Sequence, residues 1–194
     1  RYLGMNIRMR MGLTSFKHVG IFPEQAANWN YIYNNCRKIS ALTGKVPQIL
    51  NLFAYTGGAS LAARSAGAEV THVDSVKQVV TWARENMERS GLDGVRWIVD
   101  DALKFIRREA KRGKTYDGII LDPPAYGRGP DGEKWILEQN MSGTLSLCSS
   151  WLAPGHSFIV LNRYSMGLSP LLARSAVRQA YAGGPDKDID EQFG

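Results

Sequence analysis

Gln48-Ile49-Leu50-Asn51-Leu52-Phe53-Ala54-Tyr55-Thr56-Gly57-Gly58-Ala59-Ser60-Leu61 decides the fold. An apolar run of strand length breaks at two glycines and resumes as a small-residue helix, Ala59 to Ala66, that stops at Gly67. Glycine suits such a turn because it accepts positive φ and has no Cβ to hold a ligand off the backbone. Free N–H groups and the positive end of the helix dipole then face whatever sits above the turn, which favours an anionic group.

Sixteen residues past Gly58, a second apolar run (Val70 to Val73) ends in Asp74. A carboxylate there is where nucleotide-binding doubly wound folds hold ribose hydroxyls. A packing turn with Asp74 as a helix cap would leave the same residues. A dinucleotide fingerprint needs three spaced glycines, and only the adjacent pair is present.

From Gln48 on, strands read at 48–53, 69–73, 95–99, 117–121 and 157–161 alternate with helices at 59–66, 76–90, 101–111, about 133–152 and 169–182. Successive β–α units with short connections predict an α/β fold, a doubly wound, mostly parallel sheet covered on both faces. Right-handed crossovers put every strand C-terminus on one edge, where ligands bind. That edge collects Phe53 to Gly58, Asp74, Asp100-Asp101, Asp122-Pro123-Pro124 and Asn162-Arg163-Tyr164-Ser165. Aspartates as helix N-caps explain part of the cluster. They do not explain the two prolines, which fix φ twice and remove two N–H donors, predicting a rigid wall with carbonyls aimed into the site. Tyr126 then supplies an aromatic surface for a planar substrate.

Upstream, Met5, Ile7, Met9 and Met11 alternate with Asn6, Arg8 and Arg10, the pattern of a strand with a basic outer face. Phe22-Pro23-Glu24-Gln25 leads into a helix with Ala26, Trp29, Tyr33, Cys36 and Ile39 at helical spacing. This gives an N-terminal extension of strand plus helix over 1–46, followed by one domain over 47–194. A chain beginning at Arg1 and ending in a charged, glycine-rich stretch from Gly183 reads as a trimmed piece, cut short at its C-terminus.

The 24 basic and 18 acidic side chains leave a net charge of +6, compatible with an anionic partner and also with a solvated surface. Cys36 and Cys148 make no disulfide framework, and no apolar run nears membrane-spanning length. The expectation is a cytoplasmic protein with no membrane partner. His18, His72 and His156 are too scattered for zinc spacing, so no metal is expected. The basic run Lys104, Arg107, Arg108, Lys111, Arg112, Lys114 reads as a solvated helix face away from the site. Arg8, Arg10, Lys17, Arg128 and Arg163, near the N-terminal strand or the strand edge, are the better candidates to meet an anionic partner such as a nucleic acid.

Asn51 to Leu61, Asp74, Asp101 and Asp122-Pro123-Pro124 at successive strand ends resemble the motif series of class I S-adenosylmethionine-dependent methyltransferases, whose fold is Rossmann-like. More narrowly, Phe22-Pro23-Glu24-Gln25, Phe53-Ala54-Tyr55-Thr56-Gly57-Gly58 and Asp122-Pro123-Pro124-Ala125-Tyr126-Gly127 are similar to the bacterial 23S ribosomal RNA large-subunit methyltransferase I and K group. The resemblance implies an S-adenosyl-L-methionine cofactor and methylation of a base of ribosomal RNA. Phe53, Ala54, Tyr55, Thr56 and Gly57 would lie against the methionine part, Asp74 would hold the ribose, Ser75 and Val76 would border the adenine, and Asp101 with Ala102 would meet its edge. Asp122 and Pro123 would stand near the methyl, Pro124 in the same wall, and Gln25 would close over the cofactor. Asp122, Asn162 and Tyr126 would orient the acceptor.

Cytosine C5 methylation needs a cysteine thiolate to add to the ring. In carbon-methylating relatives it is expected after the fifth strand, where this chain has Leu161-Asn162-Arg163-Tyr164-Ser165. That departure favours direct transfer to nitrogen or oxygen. A protein or small-molecule acceptor, a non-catalytic RNA-binding relative and a nicotinamide oxidoreductase are the alternatives.

Overall fold

The computed structural model describes residues 5–12 and 20–162. Lys17, His18, Arg163-Tyr164-Ser165, the helix expected at 169–182 and the tail from Gly183 lie outside the described residues. A single 3₁₀ turn, Pro23–Gln25, leads into α1 (Ala26–Thr43), which Gly44 closes at φ +67° with its N–H on the Ser40 carbonyl. There follow β1 (Gln48–Leu52), α2 (Gly58–Ser65), β2 (Glu69–Asp74), α3 (Lys77–Arg89), β3 (Val95–Val99), α4 (Ala102–Ala110) and β4 (Gly118–Leu121). The described elements end with β5 (Tyr126–Arg128), β6 (Lys134–Ile136), α5 (Leu137–Ser149) and β7 (Phe158–Leu161).

Five strands form one parallel sheet in the order β3-β2-β1-β4-β7. Alternation along the strands divides the core between its two faces. Ile49, Val70, Ile120 and Phe158 pack with α1 and α2, while Leu50, Leu52, Ile119 and Leu121 pack with α4 and α5. At about 1.5–3 kcal/mol for each fully buried aliphatic side chain, these two layers supply the main force holding the strand ends in place. Gly118 lets β4 lie close: a Cβ there would stand 2.5 Å from Phe158 and 2.6 Å from Ile49.

Two expectations are corrected. The N-terminal segment buries Met5 and Ile7, as the alternation predicts, but no ladder of the five-stranded sheet includes it. It runs along α3, the Arg8 N–H donating to Ser90 Oγ (2.9 Å) and the Arg10 N–H to Asn86 Oδ1 (2.7 Å). The helix expected from about 133 starts at Leu137, because Lys134–Ile136 pairs antiparallel with Tyr126–Arg128. Gly129 and Gly132 build the connecting loop, the Gly129 N–H donating to the Glu133 carbonyl and Gly132 taking φ +89°.

Candidate functional site

The turn after β1 is held in a conformation that ordinary residues avoid: Phe53 (φ 55°), Tyr55 (φ 47°) and Gly57 (φ 92°) are all left-handed. Each non-glycine instance costs on the order of 1–3 kcal/mol, so the surroundings must over-determine it. They do. The Ala54 N–H donates to the Val73 carbonyl (3.1 Å), the Tyr55 N–H to Asp74 Oδ2 (2.9 Å), Thr56 Oγ1 to the Gly20 carbonyl (2.7 Å) and Asn86 Nδ2 to the Thr56 carbonyl (3.0 Å). Asn86 thus ties the turn to the N-terminal segment, a buried amide that no sequence motif singles out.

The two glycines have different reasons. Gly57 needs its backbone angle, and Gly58 needs its missing side chain, since a Cβ there would stand 2.5 Å from the Trp29 indole. Alanine in a helix otherwise gains about 1 kcal/mol over glycine. Here Gly58→Ala is expected to destabilise the fold by about 1–3 kcal/mol through overpacking. Urea denaturation checks this; a midpoint equal to or above that of the parent means that the indole yields freely.

Beneath the turn lies a buried relay. Asn51 Nδ2 donates to Ser60 Oγ (2.8 Å), which lies 3.0 Å from His72 Nδ1. Ser60 Oγ has one hydrogen and two lone pairs, so its bond to Nδ1 runs in the direction that the tautomer of the ring sets. Burial pushes His72 down to about 3, the Tyr55 backbone pulling weakly the other way, so this histidine stays neutral and structural.

The three aspartates at the strand ends differ in what they do. Asp74 accepts from the Tyr55 N–H and, through Oδ1, from the Val76 N–H (2.9 Å) ahead of α3. Burial pushes its pKa up against those backbone donors. Asp101 caps α4, its Oδ1 accepting from the Lys104 N–H (2.9 Å). Asp122 is half-buried, and desolvation pushes it up to about 6, opposed by a hydrogen bond from the Asn162 side chain. Asn162 follows β7 next door, its backbone N–H on the Leu121 carbonyl (2.8 Å) and its Oδ1 accepting from Asn28 Nδ2 (2.7 Å). The same Nδ2 reaches Gln25 Oε1 (2.8 Å). Gln25, Phe53, Tyr55, Asp122 and Asn162 line one pocket, with Trp29 and Gly57 at its wall.

The prolines do not behave as expected. Pro123 is buried, but the Pro124 carbonyl turns to the hairpin, where Trp135 Nε1 donates to it (2.7 Å). The Trp135 ring also packs on Phe53, centroids 4.6 Å apart, joining the β1 and β4 turns. Trp135 therefore belongs to the hairpin and not to the helix expected from about 133. Tyr126 stands 79% exposed on β5 and does not line the pocket. Ser75 is half-buried and Val76 exposed beside Asp74, while Ala102 is buried on α4.

The cationic candidates also sort. Arg10 pairs with Glu85 (2.7 Å) and lies over Trp82 while half of its side chain stays exposed. Arg128 is exposed on β5. Lys104, expected on a face remote from the site, reaches Asp131 (2.6 Å) and Glu133 (3.5 Å) and fastens the hairpin loop to α4. Arg108 and Arg112 pair with Asp100 and Glu109, in keeping with a surface role for the rest of that run. Cys36 and Cys148 are fully buried on opposite faces of the sheet, and burial pushes both thiols up to about 12. Among the described residues no helix is long and apolar enough to cross a membrane, and no group of three or more side chains gathers as metal ligands.

A parallel β3-β2-β1-β4-β7 sheet, with a strained glycine turn after its central strand and an acid at the ends of β2, β3 and β4, defines the class I S-adenosylmethionine-dependent methyltransferase fold. The chain belongs to the family described as Conserved hypothetical protein 95, whose model matches residues 25–162. A crystal structure of a SAM-dependent methyltransferase from Agrobacterium tumefaciens is 42% identical, with a TM-score of 0.85 over 90% of this chain and 55% of that one. Curated relatives include ribosomal RNA large subunit methyltransferase K/L of Shewanella frigidimarina, 29% identical over 80% of this chain and 21% of its own length. The large subunit methyltransferase I of Klebsiella pneumoniae is 27% identical over 75% of this chain and 37% of its length. The chain therefore spans well under half of the curated relatives it matches.

Proposed function

We propose that this chain is the S-adenosylmethionine-binding part of a methyltransferase that acts on a base of ribosomal RNA, by direct transfer to nitrogen or oxygen. The observation that carries the reading is the desolvated Asp122 carboxylate, held by Asn162 at the strand ends, one turn away from the left-handed Phe53–Gly57 loop. The names of the relatives support RNA as the acceptor.

The donor set fits the cofactor. Asp74 takes the backbone N–H groups of Tyr55, Ser75 and Val76, and a carboxylate has about four acceptor sites, so capacity is left for one ribose hydroxyl. The α2 N-terminus faces the pocket for the cofactor's carboxylate, and Phe53, Ala54 and Trp29 give apolar wall. Phe53 to Gly57, Asp74, Ser75, Val76, Asp101, Ala102 and Gln25 would hold it. When bound, it supplies an electrophilic methyl on a sulfonium. Displacement of that kind requires alignment and exclusion of water more than proton chemistry from the protein. Asp122 and Asn162 would orient the acceptor N–H or O–H, with Pro123 stiffening the turn and Pro124 anchored by Trp135. Tyr126 would meet RNA from outside the pocket. The core positions of Cys36 and Cys148 support direct transfer, because neither thiol can reach a substrate ring.

Labelled methyl transfer to naked and ribosome-assembled large-subunit RNA, followed by digestion to nucleosides, tests the proposal. Label in a single N- or O-methylated nucleoside is the expected result. Label only in protein or a small molecule, or at a base carbon, overturns it.

Arg128 on the exposed β5 strand is the described cation best placed for phosphate. Arg128→Ala should weaken RNA binding, with the deficit shrinking about threefold between roughly 0.05 and 0.2 M salt, as the loss of one contact to a single strand dictates. Filter binding at the two salts checks it. A deficit that does not change with salt rules out a phosphate contact.

A further inference from the structure

Asn28 lies on the first turn of α1, and its single amide nitrogen spends both hydrogens, one on Gln25 Oε1 (2.8 Å) and one on Asn162 Oδ1 (2.7 Å). That nitrogen has no further donor capacity. The consequence falls on Asn162, a side chain with two nearly isosteric orientations. Because Asn28 presents a hydrogen, Asn162 must offer its oxygen to α1, and its own NH₂ is then turned towards Asp122 on the neighbouring strand. The reversed orientation would set an amide oxygen against a carboxylate. The Asn162 backbone cannot adjust instead, since its N–H is held on the Leu121 carbonyl (2.8 Å).

We propose that Asn28 is a positioning residue, which locks the Asn162 amide with its NH₂ towards Asp122 and so couples the Gln25 side of the pocket to the Asp122 side. As a part of catalysis this rests on the function proposed above; as a hydrogen-bond relay it does not. The relay joins residues 134 positions apart, one on the helix that approaches the pocket and one at the end of β7. It makes the donor facing Asp122 depend on where α1 sits, so displacement of the α1 N-terminus changes the environment of a carboxylate on another element. Asp122 reports the relay cleanly. Its ionisation is governed by burial and, in opposition, by the Asn162 bond, and among the described residues Tyr55 is the other titratable side chain lining the pocket.

The test follows the Asp122 carboxyl carbon by NMR through a pH titration of the folded chain, with a thermal melt of each variant. Asn162→Ala should raise the Asp122 midpoint by about half to one pH unit, the size expected for loss of one hydrogen bond to the charged form. Asn28→Ala should raise it in the same direction. The double variant should lie no higher than Asn162→Ala, because Asn28 acts through Asn162. Asn28→Leu is close in size, cannot donate and adds no charge that would itself act on Asp122, so it should raise the midpoint as far as Asn28→Ala. A parent-like midpoint in Asn28→Leu or Asn28→Ala overturns the proposal. So does an Asn28→Ala shift that adds in full on top of Asn162→Ala. No methyl transfer is needed for the readout: an inactive chain with the coupling intact would remove the methyltransferase reading and keep the relay.

Discussion

Asp122→Ala is expected to lower methyl transfer at saturating S-adenosylmethionine by about 100-fold, the lower end of what a positioned acid–base or orienting group contributes. Asp122→Asn should meanwhile raise the melting temperature at pH 7.5. Burial raises this carboxyl from its ordinary 3.8 to about 6, with Asn162 opposing. A folded-state pKa above the unfolded value means that the group's contribution to stability is whole below pH 3.8 and is lost as pH rises through about 6. At neutral pH the ionised carboxylate therefore costs on the order of 2–3 kcal/mol, since each pH unit between the unfolded and folded values is worth about 1.4 kcal/mol, less some allowance for its partial exposure. A neutral amide of the same shape removes that cost, worth roughly 4–10 °C in a chain of this size. The gain should vanish below pH 4, where the parent's Asp122 is also neutral. Full transfer by Asp122→Ala would exclude the carboxylate from the reaction; no thermal gain at pH 7.5 would mean that its burial costs nothing.

Asp74→Ala should be damaging for a different reason. Asp74 accepts the Tyr55 N–H at a left-handed residue and the Val76 N–H ahead of α3, and without it the first donor is orphaned while water can reach the second. The orphaned donor costs about 1–3 kcal/mol when shielded from water, so the melting temperature should fall by several degrees. In the proposed complex the same carboxylate holds the ribose, and losing a charge-assisted hydrogen bond there should weaken the cofactor by about 30- to 100-fold. Equilibrium dialysis with labelled S-adenosylmethionine, at a temperature where the variant is folded, separates the two effects. A lower melting temperature with parent affinity would make Asp74 a purely structural acceptor.

The parallel sheet was legible because short, mostly apolar runs such as Ile49–Leu52 and Gly118–Leu121 recur at β–α spacing, and all but the first are followed at once by a polar residue at the same edge. The hairpin was not. Its strands are three residues long, and Trp135 and Ile136 fit an amphipathic helix as well as a strand until the Pro124 carbonyl and the Phe53 ring show what Trp135 is for. The N-terminal alternation marked burial correctly at Met5 and Ile7. It could not show that Asn86 and Ser90 on a helix would supply the acceptors. Asn28 is a lone amide in a helix that buries Trp29, Ile32, Cys36 and Ile39; only its place three residues after Gln25, on the same helical face, hinted at a role. Its partner Asn162 is distant in sequence, and periodicity carries no information about such a pair.

The most direct measurement is a binding titration of the folded chain with S-adenosylmethionine and, in parallel, with NAD. The strand-end site predicts about one equivalent of S-adenosylmethionine bound, with competition by S-adenosylhomocysteine, loss in Asp74→Ala and no saturable uptake of NAD. Saturable NAD binding, or a folded chain that takes up no S-adenosylmethionine, would contradict it.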